Sequence, residues 1–265
     1  MEATVMPDYL HAYLQELPLH RAIIRSIEAR LYRMYASHLQ EPILDVGSGD
    51  GSFAQVVLPK AEIYGIDPLK KDTYEAQVRN CYSGLSVANG SSIPFRDKSF
   101  ASVFCNCVLE HVIPLRETLA EIARVTAPGG LFVATVVTDR HSTSLLGYDI
   151  LERLAGRGVV YSNFLNGMAH HHNLLSREGW VAEMERVGFD VVERLPYMGL
   201  RTMKVFDFAH YYAIPSLISY KLTGRWHLSA KLNINQVWEQ FLRDSYDDPI
   251  AEDGTCLFML CRRRG

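Results

Sequence analysis

The sequence predicts an α/β fold, a doubly wound and mostly parallel sheet with helices on both faces. Three observations carry that expectation. First, Pro42-Ile43-Leu44-Asp45-Val46-Gly47-Ser48-Gly49-Asp50-Gly51-Ser52-Phe53 runs from a short apolar stretch through an acid to three glycines at every second position. Ile43, Leu44 and Val46 suit a strand buried on both faces. The glycines suit a turn whose backbone approaches a ligand with no Cβ in the way, and residues 53–58 read as the helix that the turn opens. Second, residues 61–66 form another apolar run that ends in an acid, Asp67, 20 residues beyond Gly47. Third, apolar runs at 85–88, 100–107 and 131–137 alternate with helical segments at 70–79 and 114–125, the pattern of crossover units. A strand, a glycine turn and a helix N-terminus in that order make a nucleotide-binding unit.

Spacing decides which nucleotide. A dinucleotide fingerprint needs G-x-G-x-x-G/A; Gly47 and Gly49 fit it, but Ser52 stands at the third position. The D-x-G-x-G-x-G spacing from Asp45 to Gly51 resembles instead motif I of the class I S-adenosylmethionine-dependent methyltransferases. A pyrophosphate needs a helix N-terminus aimed at it. A sulfonium cofactor carries an amino acid and a nucleoside, so a loop beneath its methionine part with an acid nearby suits it. The plain competing reading is a structural turn.

Composition excludes several classes. A chain of 265 residues is one sizeable domain, or one domain with an elaboration. A hydrophobic content of 48% with 22% charged residues is that of a globular protein. The net charge of −3 gives no electrostatic case for nucleic acid. The opening Met1-Glu2-Ala3-Thr4-Val5-Met6 has no basic region followed by an apolar run, so no signal peptide is expected. No apolar stretch approaches a membrane span, and the expected location is cytoplasmic. Five cysteines, an odd number without zinc spacing, suit a reducing compartment and read as buried thiols.

In chain order, residues 1–41 read as an N-terminal helical cap and 42–265 as the main domain. Leu10, Leu14 and Leu17 share one helical face before Pro18; Ile23, Ile24, Ile27, Leu31 and Met34 continue at helical spacing, with Arg and Glu opposite. This is a packing helix, or a lid over the cofactor with Tyr9 and Tyr13 on it. Asp67, followed by Pro68, ends the second strand and is placed to accept from both ribose hydroxyls; the alternative is an N-cap for a helix from Lys70 to Arg79.

The resemblance extends through further motifs. Asn89-Gly90-Ser91-Ser92-Ile93-Pro94-Phe95 is similar to the family's D-A-x-x-L-P-F. It implies that Asn89, in place of the acid, accepts from the adenine amino group and that Gly90 supplies the amide. Ala101 departs from an acid that the family commonly has. Val108-Leu109-Glu110-His111-Val112 resembles the L-E-H-V segment of ubiquinone-biosynthesis-like methyltransferases, and Arg124-Val125-Thr126-Ala127-Pro128-Gly129-Gly130 their R-V-L-K-P-G-G. Asn106 and Cys107 are thus expected beside the methionine part of the cofactor, and His111 either facing the acceptor or fixing the loop. Ser176 caps a helix carrying Trp180, Met184 and Val187; Gly188-Phe189-Asp190-Val191-Val192 opens a sixth strand and residues 256–261 a seventh. The family implies a seven-stranded Rossmann-like sheet of order 3-2-1-4-5-7-6 with the last strand antiparallel.

Two stretches exceed ordinary connections and are expected to hold the acceptor. The first, 138–173, carries His170-His171-His172. Sequence neighbours rarely converge on one ion and no acid has i,i+4 spacing, so no metal is expected; one imidazole as base or hydrogen bonder is the better reading, with His171 the catalytic candidate and His170 and His172 substrate contacts. The second, 197–255, begins at Tyr197 and is rich in aromatic and aliphatic residues with few charges before Lys221 and Arg225. It reads as packing or an oligomer contact, as an acceptor wall, or as a membrane-facing surface. Tyr13, Glu110 and Tyr197 complete the expected acceptor contacts.

The expected activity is methyl transfer from S-adenosylmethionine, leaving S-adenosylhomocysteine, to a small apolar, lipid-like or aromatic acceptor by in-line displacement, with His111 or His171 as base. A monomer or homodimer without nucleic-acid partners is expected. The alternatives are a non-catalytic scaffold that keeps the cofactor pocket, or another enzyme on this fold, an aminopropyltransferase or a cyclase.

Overall fold

The computed structural model describes residues 7–223, 226 and 235–265; Arg225, named above in the second long connection, lies outside them. The centre is a seven-stranded sheet of order β3-β2-β1-β4-β5-β7-β6, the order the motifs implied. β1 (Ile43–Val46), β2 (Ile63–Asp67), β3 (Gly84–Val87), β4 (Phe100–Asn106) and β5 (Thr126–Val137) run parallel; β7 (Cys256–Arg263) inserts antiparallel between β5 and β6 (Phe189–Tyr197). β1 is buried at all four positions, as a central parallel strand covered on both faces must be.

Each face of the sheet carries its own apolar core. On one side α5 (Leu115–Val125) and α8 (Arg177–Arg186) bring Leu119, Ile122, Trp180 and Met184 against Leu44, Val103, Phe132 and Met259. Ser176 Oγ accepts from Gly179 N at 3.0 Å and so caps α8. On the other side α1 (Tyr9–Glu16), α2 (Leu19–Tyr35) and α3 (Ser52–Val57) cover Ile43, Phe104, Val133 and Phe258. The N-terminal helices therefore share one core with the sheet. Tyr32 lies edge-on to Phe53, Phe104 and Phe258, and its hydroxyl donates to Cys105 O at 3.0 Å. The apolar stripe of α2 includes Ile23, Ile27 and Leu31 as expected, while Met34 is exposed near the helix end.

α4 (Lys70–Arg79) follows β2. The first long connection folds as α6 (Leu146–Ala155) and α7 (Gly158–Met168), and the second as α9 (Leu200–Tyr212), α10 (Ile214–Thr223) and α11 (Glu239–Asp247). α9 packs on both α2 and α6, so the two connections meet above the carboxyl ends of β4 and β5. That is where a doubly wound sheet binds its ligands.

Candidate active site

Two cavities open at the strand ends. The first, about 480 Å³, lies over the glycine turn and is lined by Tyr13, Arg21, Arg25, Asp45, Gly47, Ser48, Gly49, Asp50 and Asn106 among others. Gly47 has φ +81° and Gly49 φ +51°, backbone that side chains rarely adopt. A Cβ on Gly47 would sit 2.5 Å from Val108 Cγ2, whereas Gly49 has open space beside it. Gly51 stands elsewhere than expected: its missing Cβ makes room for Ala76 and the Tyr82 ring, so it packs the turn on α4 and does not line the cleft.

The amides of this turn are already used. Gly47 N and Ser48 N both donate to Ile66 O at 2.9 Å, and Gly49 N donates to Asp67 Oδ2 at 3.0 Å. At the start of α3, Ser52 N and Oγ donate to Asp50 Oδ1. A carboxylate thus occupies the place where a pyrophosphate would bind, which disfavours a dinucleotide. Cationic groups face the cleft from α2 instead: Arg21, which makes no ion pair among the described residues, and Arg25. Ser48 Oγ and Tyr13 Oη are buried without a hydrogen-bond partner. The cleft therefore offers an amino-acid headgroup two guanidiniums for its carboxylate and free hydroxyls beside it.

Asp67 is buried, with Oδ1 accepting from Leu69 N at 2.8 Å and Oδ2 from Gly49 N. Both oxygens are oriented and retain lone pairs for a diol. Pro68 and Asn89 are exposed at the same strand ends. Gly90 packs against Thr118 and Val46, where a Cβ would meet Thr118 Cγ2 at 2.9 Å. These four lie beyond the residues that line the cleft itself. Asp45 is buried beneath the turn, accepts from Tyr82 Oη at 2.6 Å, and has its pKa pushed up to about 7 by burial.

The second cavity, about 330 Å³, is mostly apolar: Ile24, Val137, Leu145, Leu165, Met198, Met203 and Phe206 wall it, with Cys107, Glu110, His111, His141, His171 and His210 as its polar groups. Of the three adjacent histidines only His171 reaches it. His170 and His172 are exposed, their backbone serving the loop: His170 O accepts from the His111 ring at 3.2 Å, and His172 N donates to Glu110 O at 2.8 Å. Consecutive residues in this turning segment point different ways, and His170 and His172, expected as acceptor contacts, do not line this cavity. Asn166 Oδ1 holds His171 Nδ1 at 3.2 Å; with Nδ1 as the donor, Nε2 keeps its lone pair. Burial lowers the imidazole pKa of His171 to about 4 and of His141 to about 3, and it lowers His111 and His210 as well.

Glu110 is fully buried, and both of its carboxylate oxygens lack a hydrogen-bond partner. Burial pushes its pKa up to about 8. An unpaired carboxyl at the wall of an apolar cavity is costly unless a ligand or a proton satisfies it.

Between the cavities stands a residue that the sequence did not single out. Glu28 of α2 is fully buried and accepts from Arg25 Nη1 at 2.9 Å, Asn106 Nδ2 at 3.0 Å, Cys107 Sγ at 2.7 Å and Tyr197 Oη at 2.9 Å. Burial raises the Glu28 pKa and Arg25 draws it back. Tyr197, expected at the acceptor, is instead buried on Glu28 and lines neither cavity. Tyr13, expected with it, faces the polar cleft, while the Tyr9 amide donates to Tyr246 Oη of α11. The signal for Glu28 was present: an acid four residues after Ile24 and three before Leu31 lies on the apolar stripe.

Asn106 lines the cleft and Cys107 lines the apolar cavity. The chain passes between them at φ +50° for Cys107, a left-handed conformation costing about 1–2 kcal/mol in a non-glycine residue. The Glu28 contacts and the Cys107 N–Thr135 Oγ1 hydrogen bond of 3.1 Å hold it there. No group of three or more potential metal ligands occurs among the described residues.

Residues 44–134 match the model of the methyltransferase domain family. The chain is 30% identical over 150 residues to an O-methyltransferase of Aspergillus sclerotiorum, covering 52% of this chain and 57% of that one. It is 31% identical over 101 residues to a ubiquinone/menaquinone biosynthesis C-methyltransferase of Desulfotalea psychrophila, covering 36% and 41%. The matched stretch thus spans about half the length of these curated relatives. Among solved structures, an S-adenosylmethionine-dependent methyltransferase from Mesorhizobium loti superposes with a TM-score of 0.53 at 15% identity, over 87% of this chain and 96% of that one.

Proposed function

We propose that this chain, a class I S-adenosylmethionine-dependent methyltransferase by its domain and fold, moves a methyl group to a small, uncharged, apolar acceptor bound against Glu110 and His171. The observation that carries the reading is the adjacency of Asn106 and Cys107. Two consecutive residues give onto two cavities of different chemistry, one polar and lined by charges of both signs, one apolar. A donor and an acceptor bound on either side meet at that point, and in-line transfer needs little beyond their alignment.

When bound, S-adenosylmethionine supplies a methyl group already activated on a sulfonium sulfur. The chain's own residues do the rest. Arg21 and Arg25 bind the amino-acid carboxylate, and Asp67 accepts from the ribose hydroxyls, with Asn89 and Gly90 at the adenine edge. The apolar wall excludes water and orients the acceptor. His111 and His171, neutral near pH 7, present Nε2 acceptors to its hydroxyl. Glu110 takes the hydroxyl proton: a carboxyl with pKa about 8 is matched to that task near neutral pH. The curated relatives include O- and C-methyltransferases, and an oxygen acceptor is the one that uses these groups.

The test is transfer of labelled methyl to a panel of phenols and isoprenoid alcohols. Turnover is expected to rise with pH up to about 8 and then level. Glu110→Gln is expected to lower turnover about 100-fold or more while leaving the donor's affinity intact. Donor binding without turnover on any acceptor would assign the chain to the scaffold class.

A further inference from the structure

We propose that the α6–α7 pair is a docking surface for an anionic lipid bilayer, from which the acceptor enters the apolar cavity. The surface goes beyond the methyltransferase reading, and the entry route rests on it.

The argument begins with α7. Its eleven residues, Gly158–Met168, include no charged side chain. A surface helix of a globular protein turns its polar side outward, but here Val160, Phe164 and Met168, at i, i+4 and i+8, form an outward stripe 63%, 62% and 55% exposed. Ser162 and Leu165 face inward. The neighbouring α6 continues the surface with Ile150 and with Leu154, which is 79% exposed. A contiguous apolar patch of this kind marks an interaction site.

The charges around it select the partner. Arg153 and Arg157, at the junction of α6 and α7, are exposed and make no ion pair among the described residues. The only acids on the two helices are engaged within the chain: Asp149 pairs with Lys204, and Glu152 Oε2 accepts from Gly158 N at 2.8 Å. A twofold contact between copies would set arginine against arginine with no acid to meet it. Lipid phosphates and serine carboxylates supply the missing anions, and each basic residue near such a surface adds to the attraction. The same helix also opens inward, since Leu165 and Met168 line the apolar cavity. An apolar acceptor can pass along α7 without crossing water.

The experiment is co-sedimentation of the full chain with vesicles of phosphatidylcholine alone, or of phosphatidylcholine and phosphatidylserine in equal parts. Sedimentation velocity without lipid and calorimetry with S-adenosylhomocysteine accompany it. Partition onto the serine-containing vesicles is expected to be about tenfold higher than onto phosphatidylcholine. It should fall with added salt, fall at least about tenfold in Phe164→Glu, and lose its serine preference in Arg153→Glu/Arg157→Glu. S-adenosylhomocysteine affinity should be unchanged in all variants, which reports that they are folded. Wild type that binds the homocysteine compound yet sediments with neither vesicle overturns the proposal. So does a concentration-dependent dimer that Phe164→Glu dissociates without any vesicle binding. A protein that partitions as expected but binds no S-adenosylhomocysteine instead overturns the methyltransferase reading and leaves the surface standing.

Discussion

The two cavities differ in how they are built as well as in their chemistry. The cleft over the glycine turn is polar, carries Arg21, Arg25, Asp45 and Asp50, and has its floor in one local unit, β1–turn–α3, with walls from α1, α2, α4 and Tyr220 of α10. The neighbouring cavity is apolar and is assembled from α2, the 107–111 turn, both long connections and the start of β7. The floor of the cleft is a contiguous motif, whereas the apolar cavity is closed throughout by segments that meet only in the folded chain. Glu28 joins them, since its carboxylate touches residues of both walls.

The largest test of that division is to cut the joint. Glu28→Ala leaves Arg25 without its buried partner and strips Asn106, Cys107 and Tyr197 of their shared acceptor. A loss of about 3–5 kcal/mol in unfolding free energy is expected, measured by urea denaturation; a loss under about 1 kcal/mol would show that the walls hold without it.

Next in size is an acid-side instability to which the apolar cavity contributes through two histidines. His141 and His171 have folded pKa values of about 3 and about 4, below the ordinary 6.5. The unfolded chain therefore binds more protons between pH 6.5 and 3. The stability they contribute is fully present above pH 6.5 and lost as pH falls through that window. His141→Gln should flatten the fall by about 2–3 kcal/mol at pH 4, read from melting temperatures across pH. Glu110 acts in the opposite sense. Its folded pKa of about 8 lies above the ordinary 4.5, so its contribution is fully present below pH 4.5 and lost as pH rises through 8. In Glu110→Gln, thermal stability should decline less than in wild type between pH 6 and pH 9.

A smaller and sharper test separates the ends of the cofactor cleft. Arg21→Ala should weaken S-adenosylhomocysteine by about tenfold, the worth of one exposed charge-assisted contact, and leave adenosine affinity unchanged. Equal weakening of both ligands would move Arg21 away from the carboxylate.

The same contrast explains what was legible in the sequence. Gly47, Gly49, Asp67 and the strand-to-helix periodicities around them belong to short continuous segments whose spacing is fixed by backbone geometry, and the strand order followed from motifs lying in sequence order. Gly51 fitted the motif but serves packing, because spacing alone does not say which side of a turn a missing Cβ frees. The acceptor side was only partly readable. His111 and His171 were singled out, but His141 and His210 come from two different connections, and no local pattern brings them together. The three adjacent histidines could not be sorted until the turn at His170, with φ +54°, showed which ring faces inward. Charge alone puts Arg25 and Glu28 on the solvent side of a packing helix, although spacing puts Glu28 on the apolar stripe; Glu28 is buried because the ends of β4 and β6 offer Asn106, Cys107 and Tyr197 as partners.

The most direct test of the division of labour is one calorimetric series with S-adenosylhomocysteine on wild type, Asp67→Ala and Leu165→Trp. Asp67 is the residue proposed to hold the ribose, and Leu165 lies in the apolar cavity. Clear binding to wild type is predicted, weakened about 100-fold by Asp67→Ala through the loss of charged hydrogen bonds, and unchanged by Leu165→Trp. No binding to wild type, or equal weakening by the two substitutions, would contradict the assignment of the polar cleft to the cofactor and the apolar cavity to the acceptor.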